Sequence, residues 1–96
     1  MNCDTALTIL ATNKPLLAAR FGVTRLALFG STARGDSNAA SDIDVLVAFD
    51  GVATSSRYFG VLFFLEDIFG CTVDLVTEKA LRAELRPHVE REALHV

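Results

Sequence analysis

The chain alternates between stretches of helical and strand-like hydrophobic patterning. From Asp4 to Phe21, Leu7, Leu10, Ala11, Leu17, Ala18 and Phe21 recur at broadly helical spacing. That spacing is interrupted near Asn13-Lys14-Pro15, where Pro15 opens a second helical segment or Asn13 caps one, and Gly22 ends the pattern. Val23–Phe29 is rich in β-branched and apolar residues and predicts a first strand, followed by a short helical turn at Thr32–Arg34 and a polar loop at Asp36–Ala40. Ile43–Phe49 predicts a second strand, closed by the turn signal Asp50-Gly51. Ser55 or Ser56 can cap a helix running to about Phe69, with Gly70 just beyond it. On that helix Tyr58, Val61, Leu62, Leu65, Ile68 and Phe69 form a core stripe, while Phe59 and Phe63 fall on the other side with Glu66 and Asp67. Cys71–Val76 predicts a third strand, Thr77 a cap, and helical patterning continues through Leu81 and Leu85. Pro87 begins a last helical turn in which Val89 and Leu94 meet the body. The order α-β-α-β-α-β-α predicts an α/β (α+β) fold, a small mixed sheet backed by helices, in one domain over residues 1–96.

Within this frame one stretch carries chemistry. The strand ending at Phe29 runs into Gly30-Ser31-Thr32-Ala33-Arg34-Gly35, and Ser41-Asp42-Ile43-Asp44-Val45 follows closely. Gly30 permits a sharp turn and leaves room for a phosphate against the backbone. Ser31 offers a hydroxyl, and amides opening a short helix would point at an anion. Arg34 adds a forked donor suited to phosphate, or makes an ion pair with Asp36 or Asp50; both readings stay open. Asp42 and Asp44, at alternate positions of a strand, project from one face with Cβ atoms roughly 6–7 Å apart. Two like charges so placed ask for a divalent cation between them. Rival readings fail on detail. An EF-hand loop needs a glycine and further oxygen ligands where Leu46 and Val47 stand. A Walker A loop needs a lysine, and none lies between Lys14 and Lys79. Gly30 and Gly35 do not make a dinucleotide fingerprint.

The pattern G-S-x-A-R-G, a short polar loop and then S-D-I-D-hydrophobic resembles the polymerase-β-like nucleotidyltransferase superfamily, in particular its minimal nucleotidyltransferases. The resemblance runs from about Val23 to Val76. It implies that Asp42 and Asp44 hold two Mg²⁺ ions, that Asp74, in the middle of the third strand-like segment, completes a catalytic triad, and that Ser31 contacts the phosphates of ATP, with Gly30 and Arg34 beside it as the further nucleotide-binding candidates of the turn. Minimal members of this size resemble the antitoxin halves of modules with a HEPN-domain RNase toxin. In those modules the nucleotidyltransferase can move AMP from ATP to a toxin tyrosine. The alternatives are an antitoxin that neutralises by covering its toxin without catalysis, and a small-molecule nucleotidyltransferase subunit whose pocket comes from an oligomer.

Charge and composition narrow the setting. The net charge is −3 with no Lys/Arg cluster, so direct nucleic-acid binding is not expected. Hydrophobic residues make up 51%, which suggests apolar surface left for a partner, homo- or hetero-oligomeric, and Phe59 and Phe63 are its candidates. The longest apolar run, Tyr58–Leu65, is too short to span a membrane, and Met1–Asn13 lacks the positive charge of a signal peptide. Cys3 and Cys71 form no paired motif and fit a reduced, cytoplasmic context; His88 and His95 read as surface residues.

Overall fold

A computed structural model describes residues 2–30, 33 and 43–96. Helix α1 (Cys3–Phe21) leads into β1 (Val23–Phe29); β2 (Ile43–Phe49), α2 (Ser55–Phe69) and β3 (Val73–Thr77) follow. A 3₁₀ turn (Glu78–Ala80), α3 (Arg86–Glu92) and the two-residue β4 (Leu94–His95) complete the order. The strands form one mixed sheet ordered β3-β2-β1-β4. β1 runs antiparallel to β2 and to β4, whereas β2 and β3 are parallel and joined through α2.

Both long helices form where the apolar spacing predicts, but α1 is one helix, not two. Pro15 lies inside it, on an exposed turn. Proline removes one N–H from the helical ladder. The helix continues because Leu10 and Leu17, on either side of Pro15, are fully buried. The Asn13 amide does not cap a second segment; it donates to the Ile9 carbonyl one turn back, at 2.8 Å. The first helix is capped instead by Asn2, whose side chain accepts from Thr5 N–H at 2.8 Å. Thr54, rather than Ser55 or Ser56, caps α2 by accepting from Arg57 N–H. Arg57 also pairs with the Asp50 carboxylate at 3.0 Å and donates to the Asp50 and Val52 carbonyls, tying down the β2–α2 connection.

The core lies between one face of the sheet and the two long helices. Leu26 and Leu28 of β1, Val45 and Val47 of β2 and Leu75 of β3 meet Leu10 and Leu17 of α1 and Val61 and Leu65 of α2. Each of these side chains contributes about 1.5–3 kcal/mol by leaving water. The helices approach closely at Gly60, where a Cβ would collide with the Phe21 ring. On the opposite face, among the described residues, Val89 of α3 packs on Ala27 and Leu46, with Phe29, Val76, Leu81 and Ala93 at the margin.

The C-terminal stretch from Thr77 onward departs from expectation. Thr77 does cap, accepting from Ala80 N–H, but the turn it opens is a three-residue 3₁₀ turn, and Leu81 and Leu85 lie outside any α-helix. Pro87 stands in the first turn of α3 as predicted, and Val89 is buried. Leu94 instead joins β4, 38% exposed, opposite Leu28 of β1. Beyond it, Val96 N–H donates to the Leu26 carbonyl and Lys14 donates to the Val96 carbonyl at 2.7 Å.

Candidate active site

Strand alternation decides which face carries the carboxylates. Ile43, Val45, Val73 and Leu75 are buried in the helix-packed core, so Asp44 and Asp74 between them project to the opposite face. The parallel register of β2 and β3 sets Asp44 directly beside Asp74. Neighbouring strands lie about 4.8 Å apart, so the two carboxylates rise side by side from one edge region of the sheet. Asp44 is half-buried and Asp74 exposed. On the other side of Asp44, the antiparallel register places Phe29 of β1.

Gly30 completes this corner. Its φ of 67° belongs to the left-handed region that favours glycine, and a Cβ there would run into the Asp44 carboxylate. The missing side chain at position 30 is therefore the space that the Asp44 carboxylate uses. Ala33 is helical and packs, half-buried, against the core. Ser31, Arg34 and Asp42, expected at the phosphate turn and beside Asp44, lie outside the described residues. The Asp50 carboxylate, one of the two ion-pair partners considered for Arg34, is held by Arg57.

The donor chemistry fits a hard divalent cation: two carboxylates on adjacent strands, one half-buried and one open to solvent. Among the described residues, no group of three or more His, Cys, Asp or Glu side chains is arranged to hold a metal, so Asp44 and Asp74 are what this part of the chain offers. Cys3 and Cys71 are both free thiols. His88 is exposed, 3.7 Å from Glu92, and His95 is an exposed residue of β4.

A nucleotidyltransferase domain model matches residues 10–95, most of the chain and all of the corner just described. The chain belongs to the nucleotidyltransferase domain family. It is 35% identical over 89 residues to the protein adenylyltransferase MntA of Thermococcus cleftensis, a match covering 93% of this chain and 90% of that protein. Among solved structures, it is similar to one described as a "putative minimal nucleotidyltransferase", with a TM-score of 0.84, 37% identity and coverage of 98% of this chain and 95% of that one. It also resembles the complex of a tri-AMPylated Shewanella oneidensis HEPN toxin with an MNT antitoxin, with a TM-score of 0.60 over 98% of this chain and 67% of that one. At 20% identity that last likeness is one of fold. The expected fold, a small mixed sheet backed by helices, is thus the fold of a minimal nucleotidyltransferase.

Two residues near the carboxylates escaped the sequence pattern. Tyr58 belongs to the core stripe as expected, but its hydroxyl also donates to the Leu75 carbonyl at 2.6 Å. Burial and the nearby Asp74 charge raise its pKa above the ordinary phenol value, so it keeps its proton as a donor. Glu66 belongs to the side of α2 that periodicity assigns to solvent, yet it is half-buried and accepts from Val73 N–H at 3.2 Å. The one sequence signal for either bond is that a strand at the rim of a sheet must satisfy its outer backbone groups.

Proposed function

We propose that the chain is a protein adenylyltransferase that moves AMP from ATP to a tyrosine hydroxyl of a HEPN-domain toxin and so acts as its antitoxin. The observation that carries this reading is the Asp44–Asp74 pair, aligned on adjacent strands of a nucleotidyltransferase domain next to a glycine whose Cβ would block the site. The relatives support the choice of acceptor: one is named a protein adenylyltransferase, and a structural neighbour is a complex containing an AMPylated HEPN toxin. The setting is cytoplasmic, consistent with two free thiols, and among the described residues no helix is long and apolar enough to cross a membrane.

In this reading Asp42, Asp44 and Asp74 hold two Mg²⁺ ions, and Gly30, Ser31 and Arg34 face the triphosphate. When bound, the ions would lower the acceptor's pKa and stabilise the leaving oxygen. The tyrosyl oxygen forms a bond to the α-phosphorus, the bridge to the β-phosphate breaks, and pyrophosphate leaves. The hydroxyl proton passes to a carboxylate of the triad. Asp74 is exposed, so an acceptor carried by a large partner can reach it from solvent.

The partner would dock on α2. Phe59 and Phe63 are 48% and 62% exposed, and their rings stack at a centroid distance of 5.9 Å. Neither is covered by α1. A cleft of about 490 Å³ adjoins Phe59, lined also by Ala53, Ser55, Tyr58, Leu75 and Thr77. It opens beside Leu75–Thr77 of β3, the strand that carries Asp74.

The test is transfer of label from ATP carrying a radioactive α-phosphate to a HEPN-domain protein from the same organism. Labelled toxin, with a mass increase of one AMP on a tyrosine and loss of its RNase activity, is the expected result. A complex that suppresses the RNase without labelling would replace this reading by neutralisation through binding alone.

A further inference from the structure

β3 is an edge strand of the described sheet, bonded to β2 on one side only. Successive residues of a strand point their backbone groups to opposite edges. The backbone of Asp74 therefore faces β2, while those of Val73 and Leu75 face outward. Both outward positions are taken by side chains of α2: Glu66 accepts from Val73 N–H at 3.2 Å, and the Tyr58 hydroxyl donates to the Leu75 carbonyl at 2.6 Å. The two bonds are part-buried and flank Asp74 on either side. No other hydrogen bond runs from a side chain of α2 to β3 among those found for the described residues.

We propose that Tyr58 and Glu66 are positioning residues that hold the Asp74 carboxylate beside Asp44 for metal binding. The inference rests on the reading of Asp74 as a metal ligand. An exposed side chain on a strand at the sheet's rim has little packing of its own to fix it, so its aim is set by its backbone. Two hydrogen bonds to the residues before and after it clamp that backbone.

Glu66→Gln keeps an oxygen acceptor for Val73 N–H, Glu66→Ala removes it, and Tyr58→Phe removes only the hydroxyl. The readout is Mn²⁺ affinity of the protein without nucleotide, by calorimetric titration, together with backbone amide exchange at residues 73–75 and the thermal midpoint. Outer-shell partners of metal ligands typically change affinity by about 10–100-fold when lost. Tyr58→Phe and Glu66→Ala should each weaken Mn²⁺ binding by about tenfold and speed amide exchange in β3, while Glu66→Gln binds as the wild type does. Unchanged affinity in the Tyr58→Phe, Glu66→Ala double variant, with Asp74→Asn weakened, would overturn the positioning role and leave Asp74 as a ligand. Equal loss in Glu66→Gln and Glu66→Ala would overturn it too, since charge rather than the backbone bond would then matter. If Asp74→Asn itself binds Mn²⁺ normally, both this inference and the triad fail.

Discussion

The two faces of the sheet are built for different tasks. On the helix-packed face, Leu28, Val45, Val47, Val61 and Leu65 are wholly removed from water, and α1 and α2 cover them end to end. On the other face, among the described residues, a seven-residue helix covers Ala27 and Leu46, and the same strands present Asp44 and Asp74. One strand thus serves both: Val45 is core while Asp44, one residue earlier, faces the other way and is the carboxylate to which the proposed function gives chemistry. Under the proposed function, stability and activity are therefore separable at single-residue resolution. A small enzyme can carry closely spaced carboxylates because the opposite face supplies the folding energy.

That separation can be broken or sharpened by substitution. Asp44→Asn should have the largest effect, lowering AMP transfer by about a thousandfold, or about 4 kcal/mol in barrier, with the fold retained because removing charge from a carboxylate pair relieves repulsion. Transfer assays beside circular dichroism check this, and loss of fold would show that the two faces are not independent. Leu28→Ala should do the reverse, costing about 2–5 kcal/mol of stability by chemical denaturation through lost burial and a cavity. Gly30→Ala tests the junction. It forces a left-handed φ on alanine, at about 1–2 kcal/mol, and pushes the Asp44 carboxylate aside, so stability should fall modestly and transfer more steeply. Phe59→Ser with Phe63→Ser should leave monomer stability within about 0.5 kcal/mol, as for other surface changes, while weakening association with the proposed HEPN-domain partner in a pull-down or titration.

The smallest expected effect concerns alkali. Tyr58 is the one tyrosine of the chain, so its phenolate absorbance reports this group alone. Its folded pKa lies above the unfolded value, because burial and Asp74 disfavour the charged form. The folded state therefore holds its proton longer, and the stability it contributes is complete below the ordinary phenol pKa and declines as pH rises from there toward the folded value. In Asp74→Asn the Tyr58 titration should move back toward the ordinary value.

Much of this was legible in the residues. β1 and β2 begin and end where β-branched runs meet Gly22, Gly30 and Asp50-Gly51, because turn residues and apolar runs mark boundaries locally. The alternation of Asp44 and Asp74 with apolar neighbours placed both carboxylates on strands, where the structure has them; Asp42 lies outside the described residues. What no local pattern holds is register: that Asp44 meets Asp74 follows from how α2 returns the chain, a long-range outcome. Glu66 was misplaced for the same reason, since periodicity assigns it a side of the helix but not the edge strand beyond. β4 is two residues long, too short for any alternation to show. Pro15 does not break α1, because its local cost is outweighed by the burial of Leu10 and Leu17 around it, which no local pattern shows.

The central claim is that Asp44 and Asp74 together hold cation-bound triphosphate. Binding of a non-hydrolysable ATP analogue, measured by titration calorimetry with Mg²⁺ and with chelator, for the wild type, Asp44→Asn and Asp74→Asn, tests it most directly. The account predicts that Mg²⁺ strengthens binding in the wild type and that either substitution removes that gain. Tight binding that ignores both Mg²⁺ and the two substitutions would contradict it.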